Sequence, residues 1–278
     1  MVVSHEFDKE INIIVLSDLH IGASKFDENL LFSIPKRYPN YYYILAGDYI
    51  DATLKTSIGD IYESQFMPAE QVQIFMDFLS MIKGKVLGAV AGNHDYRIAK
   101  EVGIDIFKTF IFPQFNIPYN ETYLIIDINI NGLSVGSKKR INYAIAVHHG
   151  AAGGRYPEKS VREGRWFKEV YEDIDIFVSG HTHSPTTFAV NTKRYDRKNK
   201  YIRDRTIHFA IGGSLVQSDK YAERKLLPPV PVVFPIIELK KMYPKKVKIY
   251  LENFIWEGWR CRNKKTKNML VKILLKFM

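Results

Sequence analysis

Cysteine is all but missing from this chain: Cys261 stands alone among 278 residues. One thiol closes no intramolecular disulfide and builds no thiolate-rich zinc or iron–sulfur site, so a reducing, cytoplasmic setting is expected. Glycine and proline are scarce, at 17 and 12, which excludes collagen-like and mucin-like chains. A hydrophobic content of 46% excludes intrinsic disorder. No membrane-spanning segment is expected, because the apolar run at residues 226–237 is broken by Pro228, Pro229, Pro231 and Pro235. Residues 1–10 carry early acids and lack a basic-then-apolar signal pattern, so secretion is not expected. Acids are the minority charge, 30 against 40 Lys and Arg, which leaves a net +10. Such a balance suits an anionic partner (nucleic acid, a phosphorylated substrate, a membrane surface) or simply a basic exterior.

What is present reads as alternating strands and helices. Residues 11–17 and 41–46 are apolar runs too short for typical helices and are expected as buried strands. Residues 26–34 are expected as a short helix stopped by Pro35. Residues 68–83 carry the clearest helical period: Pro68 suits the first turn, and Val72, Phe75, Met76, Leu79 and Ile82 recur at steps of three and four before Gly84. Strands are expected at 85–91, 122–130, 141–148 and 175–179, with a helix around 160–171. Two more, at 186–190 and 206–211, are expected to be joined by a polar basic loop. The expected class is α/β with mixed sheets. One main domain, residues 1–225, is expected to give way at the proline-rich stretch to a C-terminal extension, 226–278, packed on it.

Five places share one pattern, in which an apolar strand ends, often at glycine, and metal-type ligands follow. They are Asp18-Leu19-His20, Gly47-Asp48, Gly92-Asn93-His94-Asp95, His148-His149-Gly150 and Gly180-His181-Thr182-His183, and they hold six of the eight histidines. Strand C-terminal ends are where open α/β sheets assemble ligand sites. Residues two apart in an extended segment share a side, so Asp18 with His20, and His181 with His183, can each present a pair of ligands. Carboxylate, amide and imidazole donors without sulfur suit Mn, Fe, Zn or Ni. Seven such donors are more than one ion normally uses, and two ions sharing a carboxylate would use about that many.

In this order the motifs resemble those of the calcineurin-like metallophosphoesterases. The resemblance spans about residues 11–213 and omits the last sixty or so. It implies a four-layer αββα sandwich, two mixed β-sheets face to face with helices outside. It implies two divalent metal ions, Mn first among the candidates. Asp18, His20, Asp48 and His183 would hold one, and Asp48, Asn93, His149 and His181 the other, with Asp48 bridging. His149 is preferred to His148 because the family ligand directly precedes glycine; His148 is then expected beside the ligands or near substrate. A metal-bridging hydroxide would attack phosphorus, with His94 as general acid and Asp95 orienting its imidazole.

Substrate class is approached through departures and charge. Ser/Thr protein phosphatases carry GDxxDRG, whereas residues 47–53 read GDYIDAT; lipid-A pathway pyrophosphatases have Arg where His94 stands. The loop after His149 is glycine-rich, and its amides and Arg155 are candidate phosphate contacts, although a plain connecting loop fits the same residues. Seven of the net ten charges lie in residues 258–278: Arg260, Arg262, Lys264, Lys265, Lys267, Lys272 and Lys276. Residues 193–205 add a net five, with Tyr195 and Tyr201 among them. Basic and aromatic side chains together suit single-stranded nucleic acid, while a charge run is also an ordinary solvated face. Met269, Leu270, Ile273, Leu274 and Phe277 follow helical spacing, for which docking on the domain is favoured over contact with an anionic membrane. The expectation is a phosphodiesterase or nuclease. The alternatives are a phosphomonoesterase acting on nucleotides or phosphoproteins and, from another class, a catalytically idle metal-binding nucleic-acid adaptor.

Overall fold

The computed structural model describes residues 1–52, 64–131, 140–153, 158–216, 229, 231–242 and 245–253. Strands β1 (Val2–Phe7) and β2 (Ile11–Leu16) precede helix α1 (Glu28–Arg37), β3 (Tyr42–Leu45), α2 (Pro68–Met81) and β4 (Val86–Val90). Helix α3 (Asp95–Val102), a π-turn at Phe107–Ile111 and the short α4 (Phe112–Gln114) lead into β5 (Tyr119–Asn120), β6 (Tyr123–Ile130) and β7 (Ile141–His148). Then come α5 (Glu158–Val170), β8 (Ile176–Ser179), β9 (Thr186–Asp196), β10 (Tyr201–Ile211), β11 (Val233–Leu239) and β12 (Val247–Asn253).

The strands form two six-stranded mixed sheets, ordered β1-β6-β7-β8-β10-β9 and β12-β11-β2-β3-β4-β5. Between them lies a core of Ile13, Val15 and Ile44 from one sheet and Leu124, Ile126, Tyr143, Ile145 and Val178 from the other. On β6 the alternation of apolar Leu124, Ile126, Ile128 and Ile130 with half-buried residues puts one face into this core. Helices α1 and α2 cover the outer face of the second sheet, where Leu31, Ile34, Phe75, Phe78 and Leu79 meet Ile14, Leu16 and Leu45. On the first sheet α5 does the same, with Phe167 against Phe177 and Phe209. Four layers result, helices outside and sheets within. Among the described residues no helix is long and apolar enough to cross a membrane.

Three expectations change. Pro35 does not stop α1 but sits inside it, and the helix runs on to Arg37. An internal proline costs roughly 3 kcal/mol; Leu30, Leu31, Ile34 and Pro35 are all buried, and each apolar side chain so placed contributes about 1.5–3 kcal/mol. Burial wins.

The basic segment 193–205 is not a loop either. β9 and β10 pair continuously from Ile211↔Thr186 out to Tyr201↔Asp196. Its outer half has no buried face, so no apolar alternation marks it; instead Lys193 pairs with Asp204 at 2.9 Å and Thr206 with Asn191 at 2.9 Å. Lastly, the expected boundary at residue 226 is not an edge of the sheet, because β11 lies between β2 and β12. Pro235 is tolerated because pairing with β2 begins only at Ile236↔Ile14. The basic tail, residues 258–278, lies outside the described residues.

Candidate metal centre

The exits of β2, β3, β4, β7 and β8 converge at one end of the two sheets and deliver the five motif segments there. β2, β3 and β4 run parallel in one sheet, and β7 and β8 run parallel in the other, so all five chains turn out of their strands at the same end. The turns are sharp. Asp18, His20, Asp48, His181 and His183 all have φ between 43° and 64°, the left-handed region that Asp, Asn and His enter more readily than other non-glycine residues. Gly92 is required by close approach: a Cβ there would lie 2.0 Å from Asp48 Oδ1.

Asp18 and Asp48 are buried at the centre. His183 Nε2 lies 3.2 Å from Asp18 Oδ1 and 3.1 Å from His20 Nε2. On the other side His149 Nε2 lies 3.2 Å from Asp48 Oδ2. Asn93 Oδ1 sits between two imidazoles, 3.2 Å from His149 Nε2 and 2.9 Å from His181 Nδ1. Backbone N–H groups orient both carboxylates: His181 N–H donates to both oxygens of Asp18, and His94 N–H donates to Asp48 Oδ1 at 2.8 Å. His149 is fixed through Nδ1, 2.7 Å from the Ala46 carbonyl.

The charges respond to this crowding. Burial disfavours the Asp18 carboxylate, but His183 and His149 hold its pKa below the usual value. Burial and the neighbouring His94 push His20 down to about 3. Burial also opposes a charged His149, yet Asp48 overrides it and lifts the imidazole to about 10.

Asp95 does not touch the His94 imidazole. It is buried, accepting N–H donors from Asp48 at 2.8 Å, Tyr49 at 2.9 Å and Gly92 at 2.9 Å, so it ties the β3 exit to the β4 exit. The residue that holds the His94 ring is Asp51: His94 Nδ1 lies 2.7 Å from its carbonyl oxygen and 3.5 Å from its carboxylate. Asp51 was legible as the last Asp of GDYID. His94 packs edge-on against His20, ring centroids 4.4 Å apart.

His148 is engaged away from the ligands. Its Nδ1 accepts the Gly150 N–H at 2.8 Å, and its ring meets Phe167 of α5 edge-on. Two amides of the glycine-rich loop are also taken: Ala151 and Ala152 N–H donate to the buried Glu163 carboxylate, at 3.1 and 2.6 Å. Arg155 lies outside the described residues.

Three overlapping groups have ligand atoms within 4.8 Å of one another: Asp18, His20 and His183; His20, Asp48 and His94; Asp48, His149 and His181. Imidazole nitrogens facing one another and two buried carboxylates, with no sulfur, form a donor set that fits first-row divalent metals.

The family profile of calcineurin-like phosphoesterases matches residues 11–185. No curated protein matches the chain. Among solved structures, the E. coli phosphoesterase YfcE aligns with 13% identity and a TM-score of 0.41, over 88% of this chain and 100% of that one. Chaetomium thermophilum Vps29 aligns with 14% identity and a TM-score of 0.38, over 87% and 97%. The profile match takes in all five strand exits that meet at this cluster, and the chain belongs to the calcineurin-like phosphoesterase family.

Proposed function

We propose that this protein hydrolyses phosphate esters with two divalent metal ions, Mn first among the candidates, and that its substrate is a phosphodiester of the nucleotide or nucleic-acid class. The observation that carries the reading is the run of three overlapping ligand groups, the first sharing His20 with the second and the second sharing buried Asp48 with the third. Asp18, His20, Asp48 and His183 would hold one ion, and Asp48, Asn93, His149 and His181 the other. Bound there, the ions would supply Lewis-acid charge and a source of hydroxide at neutral pH.

The chain's own residues account for the rest. Asp95 and the close approach at Gly92 fix Asp48 where both clusters can use it. Asp51 fixes the His94 ring through Nδ1, and Nε2, which accepts from Arg97 in the free protein, is the atom that would take up a proton and carry it to the departing alkoxide once Arg97 has moved off it. Diester preference is supported by Ala52 in place of the protein-phosphatase Arg, and by unpaired cations at the β9–β10 turn. There Arg197, Lys198 and Lys200 make no ion pair with a described residue, whereas Arg194, Arg203 and Arg205 pair with Asp173 and Asp196.

A Mn²⁺ assay comparing bis-aryl phosphate, aryl phosphate, and labelled single- and double-stranded DNA tests the reading. Cleavage of the diesters or DNA is expected. Cleavage of aryl phosphate alone would favour the monoesterase, and no cleavage of any of them would favour the idle adaptor. His94→Ala is expected to retain metal yet lose about 10²–10⁴-fold in turnover on poor leaving groups, with much less loss on activated aryl esters.

A further inference from the structure

Arg97 breaks two local rules at once. It is the third residue of α3, in the first turn, where the helix dipole disfavours positive charge. It is half-buried, and no described carboxylate lies within ion-pairing distance of it. Cations so placed are ordinarily paired. Nothing else in the packing accounts for the choice: its guanidinium donates to His94 Nε2 at 2.9 Å and to the Asp51 carbonyl at 3.4 Å. A guanidinium has five N–H donors in a rigid fork, and among the described residues these two acceptors engage only part of it.

The position supplies the direction. His94 belongs to a ligand cluster with His20 and Asp48, so a group hydrogen-bonded to its ring stands one side chain away from that cluster. A second cation, Lys159 at the start of α5, makes no ion pair with a described residue and belongs to the helix that meets the His181–His183 segment. Its neighbour Ser160 is bonded to Thr182 Oγ1 at 2.9 Å and to the Ser184 carbonyl at 2.8 Å, which anchors α5 against the His181–His183 segment.

We propose that Arg97 grips the anionic end of the substrate, donating from its guanidinium to a non-bridging oxygen of the phosphate that occupies the metal centre. The proposal rests on the phosphoesterase reading for its substrate but names a residue that the five motifs do not include. Arg97 is a substrate-binding residue in this scheme, and its contact with His94 Nε2 is the resting position from which it transfers to the phosphate. A phosphate oxygen is the stronger partner, because the hydrogen bond is then assisted by charge on both sides and can be bidentate. An uncompensated cation in a first helical turn is offset only when that anion arrives.

The test separates binding from turnover. Inorganic phosphate is titrated calorimetrically into the Mn²⁺-loaded protein as wild type, Arg97→Ala and Arg97→Lys, with metal content measured on each sample. Arg97→Ala is expected to keep its metal and to weaken phosphate binding tenfold or more, with partial recovery on adding guanidinium ion. Arg97→Lys is expected between the two, since charge is kept and the fork lost. In steady state on a diester the loss should fall mainly on KM.

Phosphate affinity unchanged in Arg97→Ala, with turnover lower, would overturn the proposal and leave Arg97 as a prop for the His94 ring. Wild type that loads metal but binds no phosphate would overturn it as well. Arg97-dependent phosphate binding without turnover of any ester would instead sink the phosphoesterase reading while the grip stands.

Discussion

At the scale of single residues, the site is a set of buried acids and imidazoles within hydrogen-bonding reach of one another. His149 shows what that implies for pH. With its pKa lifted to about 10 beside Asp48, the ring carries charge at neutral pH, and if His149 holds metal as proposed it must do so neutral. Loading metal below pH 10 therefore releases this proton, and affinity should rise about tenfold per pH unit while His149 is the group being displaced. Calorimetry of Mn²⁺ binding in buffers of differing ionisation enthalpy measures the release. Heats independent of the buffer would refute the prediction.

Asp51 invites a second substitution. Asp51→Asn removes the charge beside His94 Nδ1 and should lower turnover on poor leaving groups at least tenfold, with metal content unchanged by elemental analysis. That the seven expected ligand residues would come together was legible because each follows an apolar strand. The resemblance implied that Asp95 orients the His94 ring, whereas Asp95, opening a helix, accepts from the neighbouring strand exits at Asp48, Tyr49 and Gly92. Nothing in the chain alone marked Arg97, whose anomaly exists only once α3 has a first turn.

At the scale of elements, strands buried on both faces were legible as short apolar runs: β2, β3, β7 and β8 fall within a residue or two of expectation. Elements stabilised by partners far along the chain were not. β1 depends on parallel pairing with β6, and β11 on β2, more than two hundred residues away. Helix α5 lies close to the helix expected around residues 160–171, but its seat was not legible. Gly164 faces the stacked rings of Phe188 and Phe209, and a Cβ there would lie 2.7 Å from Phe209. Because rings stacked 4.4 Å apart give way poorly, Gly164→Ala should destabilise the fold by about 1–3 kcal/mol, read as a lower urea midpoint at constant m-value. An unchanged midpoint would mean that α5 rides more loosely on the sheet.

At the scale of the whole molecule, the centre joins two sheets whose other meeting is mainly apolar, with a few polar contacts such as His5 Nε2 to the Leu87 carbonyl at 2.8 Å and the Tyr143 hydroxyl to the Lys240 carbonyl at 2.7 Å. Asp18 and Asp48 come from one sheet, and His149, His181 and His183 from the other. Ions held across that seam would favour the folded state, so Mn²⁺ at a hundred times its Kd should add about 2.7 kcal/mol for each site filled. Chelator should lower the melting temperature correspondingly, and an unchanged melting point would deny that the two halves of the donor set act together.

The left-handed turns at Asp18, His20, Asp48, His181 and His183 carry a consequence for anyone evolving this protein. Each holds a non-glycine residue in a backbone well that costs about 1–2 kcal/mol, tolerated only because the side chain is needed where the turn delivers it. Selection for heat resistance in metal-free medium would therefore reward glycine at these positions, His181 and His183 first because they are the less buried. It would yield hardier proteins that had lost their chemistry. A library screened for stability must keep metal in the medium, or the trait being protected becomes the one discarded.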